Sequence, residues 1–290
     1  AFTAEYTELL PDHHPLVASI ARKSRGGRPQ VPRTDANGRP IYRNLDKLRR
    51  LMAPHTFRVL KKDCLDLPPK IYQTRFFELS SSQRRLYEQV KEELRYEHAD
   101  GEVDVFNAMT AINKLRQLTS GFILSDGRAI ALADHGPRLA ALTEQVEELE
   151  GQIIIWASFR EEIRILAETF GDEAVTYHGG TSPKDREAAI ELFQSGEKRF
   201  FIGHPAAAGT GLTLTAATTA IYYSCGFSLE ERMQSEDRCH RIGTTEPVLY
   251  IDLVARDTVD ERIAAALTSK RQTADAILDP RAFVSNILGV

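Results

Sequence analysis

Residues 200–243 are FFIGHPAAAGTGLTLTAATTAIYYSCGFSLEERMQSEDRCHRIG, in which a strand, a glycine-bearing loop, a second strand and an arginine-bearing helix are predicted in succession. The apolar run at residues 199–204 predicts a buried strand, which Pro205 ends because proline has no N–H to donate to a neighbouring strand. In the loop, Gly209 and Gly211 flank Thr210, and such backbone can bring N–H groups close to a phosphate. The loop does not match the GxGxxG fingerprint of dinucleotide sites, and GxxxxGK[ST] occurs nowhere in the chain.

The second half of this stretch predicts a helix that carries two arginines. Ser228 and Glu231 have the spacing of a capping box, so the helix should begin at Ser228. Arg238 and Arg241 follow Gln234 at i+4 and i+7, which predicts that all three share one stripe of the helix. Two guanidiniums on one stripe can stabilise charge on a transferred phosphoryl group. The alternative is an ordinary solvated face whose arginines pair with acidic neighbours.

Two motifs in this stretch resemble those of one protein family. QSEDRCHRIG resembles motif VI of the Swi/Snf-type branch of superfamily two helicases, whose usual form is QAxDRxHRxGQ. HPAAAGTGLTL is similar to motif V of the same family and precedes motif VI at the family's spacing. The chain departs from the family pattern at Ala207, Thr213 and Thr244, where serine, asparagine and glutamine are usual.

The resemblance implies a RecA-like lobe that works on ATP together with a first lobe. Arg238 and Arg241 are then expected at the γ-phosphate, with Gln234 orienting them or the nucleotide, and Gly209 and Gly211 are expected at the nucleotide. ATP and Mg²⁺ would be shared with the first lobe, which in this family supplies the phosphate loop and the acidic box. The implied partners are double-stranded DNA and the first RecA-like lobe of the same parent protein, and the chain alone is expected not to hydrolyse ATP.

From residue 152 onward, apolar strands alternate with amphipathic helices. This alternation predicts an α/β fold with a parallel sheet covered by helices on both faces. Ligands of such sheets bind at the carboxyl ends of the strands. The residues Ser158, His178, Gly179, Thr210 and Gly211 all follow predicted strand ends, so they should share one edge of the sheet.

Two further blocks of the same family cover this region. IIIWASF is similar to motif IV, and YHGGTSPKDREAAIELF is similar to the block that follows it. The resemblance implies contacts with the DNA backbone for Ser158, His178, Gly179 and Thr210. For His178 taken alone, an ordinary histidine at a strand end is the alternative. Ser158 and Glu161 are also predicted to form a capping box.

The amino-terminal half resembles the same family from residue 45, where a helical segment leads to LPPK as at the close of the first motor lobe. The expected domains are residues 1–79, the tail of the first RecA-like lobe with a basic loop; residues 80–150, a helical connector; and residues 151–290, the second RecA-like lobe. A mainly helical segment therefore precedes the sheet. Residues 22–62 hold thirteen lysines and arginines against Asp35 and Asp46, with Asp63 just beyond, which favours a phosphate-facing surface and a solvated loop about equally.

The amino-acid composition limits the kinds of partner and site that the chain can have. The net charge is −4, so a basic surface for nucleic acid has to be local. The three cysteines have no metal-ligand or paired spacing, which predicts no metal site and a reducing, cytoplasmic location. No run approaches the ~20 apolar residues of a membrane span, so no membrane partner is expected.

Two other functional classes remain beside the motor lobe. One is a non-enzymatic DNA-binding or regulatory module that docks onto a partner's first lobe. The other is a small-molecule α/β enzyme, which the sequence disfavours because no paired carboxylates or histidines are in register with the predicted loops. Residues 260–263, DERI, resemble an acidic magnesium box but are predicted to begin a helix rather than end a strand.

Overall fold

The computed structural model describes residues 5, 8–11, 31, 33, 41–55, 67–99, 105–125, 128–132, 136–209 and 211–272. Described residues up to 55 belong to one compact unit, and those from 67 onward belong to a second, larger unit. Thr210 and much of the basic segment at residues 22–62 lie outside the described residues.

The described part of the first unit is short. Helix α1 spans Leu45–Met52, as the spacing of its leucines predicts, and a 3-10 helix, Ala53–His55, follows it. Backbone hydrogen bonds join Glu8 N–H to Ile41 O at 2.8 Å and Leu10 N–H to Val31 O at 2.9 Å.

The second unit contains eight strands and seven further helices among its described residues. The strands are β1 Lys70–Phe77, β2 Phe122–Ser125, β3 Arg128–Ala131, β4 Ile153–Trp156, β5 Ala174–Tyr177, β6 Phe200–Gly203, β7 Thr219–Tyr222 and β8 Val248–Ala255. The helices are α2 Ser81–Ala99, α3 Val105–Thr119, α4 Gly136–Glu147, α5 Arg160–Phe170, α6 Pro183–Gln194, α7 Leu229–Glu236 and α8 Val259–Gln272.

Six of the strands form one parallel sheet in the order β1-β8-β7-β4-β6-β5. Every residue of β4, β6 and β7 is buried, which explains why these strands are continuous apolar runs without alternation. The chain moves two strands along the sheet from β4 to β5 and one strand back to β6. Right-handed crossovers therefore place α5 and α6 on opposite faces, as the sequence predicts for a doubly covered sheet.

Strand β1 corrects the expected boundary after residue 79. All eight of its residues pair in parallel with β8, from Lys70 opposite Val248 to Phe77 opposite Ala255. The strand therefore belongs to the six-stranded sheet and not to the tail of a first lobe. Pairing between segments so far apart in sequence has no local signature, so the sequence alone did not show it.

The core lies between β4, β6 and helix α6. Trp156, Phe193 and Phe201 are fully buried there, and the rings of Trp156 and Phe201 meet edge to face with centroids 6.2 Å apart. Aromatic side chains of this size contribute much of the area that a sheet buries against its helices. This packing fixes the strand ends from which the site residues project.

The segment between β1 and the rest of the sheet is mainly helical, with one difference from the prediction. Ser80 caps α2, since its Oγ accepts from Gln83 N–H at 3.3 Å. Residues 122–125 and 128–131 pair as the antiparallel strands β2 and β3 inside the segment expected to be a helical connector, and α4 begins at Gly136. Strands of four residues are too short to give a periodic pattern.

Candidate functional site

Helix α7 begins as predicted but ends before the two arginines. Ser228 Oγ accepts from Glu231 N–H at 3.2 Å, which caps the helix. The helix ends at Glu236, and residues 237–243, here called the arginine turn, follow as turns and bends. Arg238 and Arg241 therefore do not share a helical stripe with Gln234, so that expectation was wrong.

The cause is a competing hydrogen bond from the segment that joins β6 to β7. In this segment, residues 205–214, here called the glycine loop, Leu214 N–H donates to Arg238 O at 2.9 Å. At the other end of the turn, Arg241 N–H donates to Thr244 Oγ1 at 3.2 Å. Each of these bonds uses a backbone group that a continuing helix would need for itself.

The arginine turn directs both guanidiniums onto the glycine loop. Arg238 Nη1 lies 3.4 Å from Leu212 O, and Arg241 Nη1 donates to Thr213 Oγ1 at 3.0 Å. Next to these residues Gly211 has a φ of +65°, a backbone conformation that favours glycine. The structure thus places Arg238 and Arg241 against Leu212 and Thr213, the two residues after Gly211, and it does so by a turn rather than a helical stripe.

Arg238 lies in an environment that suits an anion. Its Nε is buried and has no hydrogen-bond partner among the described residues. Burial lowers the pKa of Arg238, and the charge of Arg241 lowers it further. Arg241 itself is exposed. Two guanidiniums that repel each other across a loop would be stabilised by a bound phosphate.

Gln234 remains apart from this pair. Its Nε2 donates to Glu230 Oε1 at 3.1 Å along the helix surface. Within the described residues no hydrogen bond joins Gln234 to either arginine. Gly209 ends the 3-10 helix Pro205–Gly209, and Thr210, the next predicted residue, lies outside the described residues.

A buried charge network holds the start of the arginine turn, and the sequence analysis did not identify it. Glu236 is 1% exposed and accepts from Arg232 Nε at 2.7 Å, from Lys70 Nζ at 3.2 Å and from Tyr72 Oη at 2.9 Å. Lys70 also reaches Asp237 Oδ1 at 3.2 Å. The i,i+4 spacing of Arg232 and Glu236 was the available signal. Strand β1 thereby fixes the residues that precede Arg238.

A short backbone contact adds to this support. His240 Nε2 lies 2.7 Å from Pro68 O, and the ring is nearly buried. Val248 N–H donates to Pro69 O at 3.2 Å. The LPPK segment therefore contacts the arginine turn on one side while the glycine loop contacts it on the other.

Ser158 ties two strands together at the carboxyl edge of the sheet. Its N–H donates to Ser224 Oγ at 2.9 Å, and its own Oγ donates to Ser224 O at 3.2 Å. The helix after it begins at Arg160, and the carboxylate that caps it belongs to Glu162, which accepts from Phe159 N–H at 3.0 Å. The capping box predicted for Ser158 and Glu161 is therefore not formed, and the cap lies one residue later, at Phe159 and Glu162. The Ser158 hydroxyl is used instead to hold the end of β7.

His178 lies at the same edge beside several cations. Gly180 N–H donates to His178 Nδ1 at 3.0 Å, so the neutral ring carries its proton on Nε2. Burial lowers the pKa of His178, and the charges of Arg160, Arg186 and His204 lower it further.

Gly179 is exposed beside this histidine. Its carbonyl accepts from Arg186 Nη2 at 3.2 Å, and the same nitrogen donates to His178 O at 3.0 Å. The second arginine bond fixes the loop after β5 so that the ring of His178 has a defined position. This edge of the sheet therefore offers the neutral His178 Nε2–H as a hydrogen-bond donor, with the positive charges of Arg160 and Arg186 around it.

A cleft of about 130 Å³ opens at the ends of β4, β6 and β7. Its lining includes Ser158, His204, Cys225, Arg116 and Arg232. Arg116 is 7% exposed, donates to Cys225 O at 2.7 Å and lies between the rings of Phe159 and Phe227, 4.8 and 5.4 Å from their centroids. These contacts give Arg116 a structural role at the wall of the cleft.

The buried position of Cys225 makes its thiol unreactive. Burial, and next the Asp252 carboxylate, raise the pKa of Cys225 to about 12. Its Sγ also accepts from Arg232 Nη1 at 3.1 Å. A thiol of this kind is mostly protonated at neutral pH and makes a poor nucleophile or metal ligand.

Two classes of feature are absent from the described ranges. No group of three or more His, Cys, Asp or Glu side chains there is arranged to hold a metal ion. Asp260, which heads the DERI sequence, lies in the first turn of α8, so this sequence begins a helix as predicted. Its carboxylate pairs with Arg138. None of the helices in the described ranges is long and apolar enough to cross a lipid bilayer.

The chain is similar in sequence to known helicases. Residues 137–243 match the helicase conserved C-terminal domain family. A putative ATP-dependent helicase/translocase of Bacillus subtilis, YwqA, is 28% identical over 273 residues, covering 84% of this chain and 28% of that protein. A human SWI/SNF-related, matrix-associated, actin-dependent regulator of chromatin, subfamily A member 1, is 26% identical over 242 residues, covering 76% of this chain and 23% of that protein. The chain thus spans about a quarter of the length of these relatives.

The fold is also found among solved structures. The SWI2/SNF2 ATPase core of Sulfolobus solfataricus, solved in complex with double-stranded DNA, superposes with a TM-score of 0.62 at 23% identity, covering 83% of this chain and 54% of that one. The match to the helicase C-terminal domain family, residues 137–243, includes the glycine loop and the arginine turn. The chain therefore contains a helicase conserved C-terminal domain with a RecA-like fold, and it is homologous to SWI/SNF-type ATP-dependent helicases.

Proposed function

We propose that this chain is the second motor lobe of a DNA-dependent ATPase and that Arg238 and Arg241 reach the γ-phosphate of ATP bound between it and a first lobe. The observation that carries the proposal is the arginine turn, which directs both guanidiniums onto the glycine loop. Arginine forks at this position stabilise negative charge on the transferred phosphoryl group without having to gain or lose a proton.

The donor set fits a nucleotide phosphate. The Arg238 and Arg241 guanidiniums face one loop, and Arg238 Nε is buried without a partner in the described part of the chain. When bound, ATP supplies the phosphoryl group whose transfer to water drives the motor. The described residues provide no acidic cluster for Mg²⁺, so we assign the metal ligands and the phosphate loop to the first lobe.

We assign the carboxyl edge of the sheet to the backbone of double-stranded DNA. His178 presents an N–H donor there and Gly179 is exposed beside it. Thr210, which belongs to the glycine loop, is assigned to the same contact on the family resemblance alone. Ser158 supports this edge by holding β4 to β7. Phosphate contacts of this kind position a duplex without choosing its sequence. Closing and opening of the two lobes would then move the protein along the duplex.

The test is ATP hydrolysis by this chain alone and by the chain joined to a first lobe that carries GxxxxGK[ST], each with and without duplex DNA. We expect turnover only from the joined protein, and we expect DNA to stimulate it. Arg241→Ala and Arg238→Ala should each lower kcat by about 10³-fold or more, as removal of an arginine finger does.

Arg164→Ala is the matched control, because it removes an exposed arginine far from the arginine turn in sequence, and it should leave kcat unchanged. Turnover by the chain alone at a motor-like rate would contradict the proposal. DNA binding without turnover in the joined protein would favour the alternative, a DNA-binding module that regulates a partner.

A further inference from the structure

We propose that Arg160 binds phosphate and that Arg160, His178 and Gly180 form a subsite for one backbone phosphate of a nucleic acid. This proposal rests on the proposed function, since it names a contact within the same DNA-facing edge. Arg160 was not among the residues that the sequence suggested. Its neighbours in the subsite follow β5, whereas Arg160 follows β4, and β6 lies between those two strands.

The first observation is the close approach of two side chains over a glycine. A Cβ on Gly180 would stand 2.2 Å from Arg160 Nη2, and 3.1 and 3.2 Å from His178 Cε1 and Nδ1. Real Cβ atoms essentially never lie 2.2 Å from another heavy atom, so a side chain at this position would require the exposed Arg160 side chain to shift. The guanidinium and the imidazole therefore converge over the bare backbone of Gly180.

The second observation is that Arg160 has no partner within the described part of the chain. No hydrogen bond or ion pair joins its guanidinium to any residue described there, and its side chain is exposed. Arg164, one turn further along α5, is paired with both Glu161 and Glu168. Two exposed arginines on one helix thus differ in whether the chain itself supplies their counterion.

The third observation is the excess of positive charge around the subsite. Arg186 donates to the backbone carbonyls of His178 and Gly179, and its buried Nε has no partner in the described ranges. No described carboxylate forms an ion pair with Arg160 or Arg186. The whole chain has a net charge of −4, so this positive cluster is local and is available to an external anion.

The chemistry of the three groups suits a phosphodiester oxygen. The Arg160 fork can donate two parallel hydrogen bonds to one phosphate. His178 Nε2–H can donate a third without adding charge, because Nδ1 already accepts from Gly180 N–H. All of these groups lie at the edge to which the proposed function assigns DNA, and Gly179 and Gly180 are exposed, so a long strand has access.

The test is the affinity of the 290-residue chain for a labelled duplex, measured by fluorescence anisotropy across a series of KCl concentrations. Arg160→Ala should weaken binding about five- to tenfold and reduce the slope of log K against log salt by about 0.9, the value for one lost phosphate contact. Arg164→Ala removes the same charge from the same helix, and both quantities should stay at wild-type values. Arg160→Lys should keep the slope and lose part of the affinity.

A second variant tests the geometry without changing the charge. Gly180→Ala places a methyl group where Arg160 Nη2 stands, so the guanidinium has to leave this position and binding should weaken, by less than in Arg160→Ala, although the net charge is unchanged. Equal effects of Arg160→Ala and Arg164→Ala, or wild-type affinity in Gly180→Ala, would overturn the subsite while leaving the motor-lobe proposal intact.

Two further measurements, competition by inorganic phosphate and duplex binding by the wild-type chain, test whether the ligand of the subsite is a nucleic acid. Inorganic phosphate, added at constant ionic strength, should not displace the duplex if the subsite requires a polynucleotide. Displacement by millimolar phosphate would show a site for the free anion and would overturn the assignment to nucleic acid. Failure of the wild-type chain to bind duplex DNA even at low salt would overturn the DNA-facing edge itself together with this subsite.

Discussion

At the scale of single residues, the position of a charge matters less than what neutralises it. Arg164 is flanked by Glu161 and Glu168, whose carboxylates raise the pKa of Arg164 through hydrogen bonds. Pairs of this kind on an exposed helix contribute only about 0.3–0.5 kcal/mol each. Arg160 lacks such carboxylates among the described residues, although the two arginines look alike in sequence. Burial and pairing, which need the folded structure, are what distinguish them.

His178 gives a prediction about pH. Its pKa is lowered in the folded state, first by burial and then by Arg160, Arg186 and His204, whereas in the unfolded chain the pKa is about 6.5. The unfolded state therefore takes up a proton first as the pH falls. The stability that depends on neutral His178 is fully present above about pH 6.5 and decreases as the pH falls toward the lowered pKa.

His178→Gln should remove this dependence while keeping an acceptor for Gly180 N–H. We expect the difference in urea midpoint between wild type and His178→Gln to change in favour of the variant from pH 7 to pH 5. The measurement is urea unfolding followed by circular dichroism at several pH values. A difference that stays constant over this range would show that the lowered pKa does not contribute to stability.

At the scale of elements, α7 and β8 are joined by a buried charge pair. Arg232 is 5% exposed, pairs with Glu236 and Asp252, and lies 3.4 Å from the centroid of the Tyr222 ring. Burial alone lowers the pKa of Arg232, but the Asp252 carboxylate outweighs it and holds the pKa well above its usual value. The two acidic groups would lose their shared counterion if Arg232 were removed.

Arg232→Ala should therefore destabilise the chain by about 3–5 kcal/mol, the range for breaking a buried pair. Arg164→Ala, in which an exposed paired arginine is lost, should change the free energy of unfolding by less than about 1 kcal/mol. Both values come from urea unfolding at pH 7. Similar losses in the two variants would contradict the importance of burial. Arg232→Met, which keeps part of the volume, separates the packing contribution from the charge.

Local sequence signals predicted the starts of elements better than their ends or partners. The spacing of Ser228 and Glu231 predicted the start of α7, because a helix cap depends only on residues close together in sequence. The end of that helix depends on Leu214 N–H, which lies 24 residues before Arg238 and competes for its carbonyl. The family motifs identified both arginines, since their spacing is preserved. They could not show the turn that presents them, nor the approach of Arg160 to Gly180 across β6.

At the scale of the whole molecule, strand order assembles the site. Strands β5, β6, β4 and β7 are neighbours in the sheet, and their parallel direction brings His178, His204, Ser158 and Ser224 to one edge. The predicted alternation of strands and helices was sufficient to expect this convergence. The role of β1 was not predictable in this way, since it joins the sheet next to β8, the last strand in the sequence.

The place of β1 gives a prediction about domain limits. Residues 65–290 retain β1, which pairs with β8 along eight residues and supplies the Lys70 and Tyr72 bonds to Glu236. Residues 80–290, the chain that remains beyond the boundary expected from sequence, lack all of these contacts. We expect the longer fragment to unfold cooperatively in urea with a midpoint close to that of the whole chain.

We expect the shorter fragment to lose cooperativity, because the β8 edge is exposed and the buried Glu236 keeps Arg232 but loses its bonds from Lys70 and Tyr72. Hydrogen exchange of the two fragments provides the local readout, since the arginine turn should exchange faster only in the shorter one. Lys70→Met and Tyr72→Phe in the longer fragment remove the side-chain bonds and keep the strand, so they separate the loss of strand pairing from the loss of support for the turn. Equal midpoints for the two fragments would restore the boundary at residue 79, because the sheet would then be complete without β1.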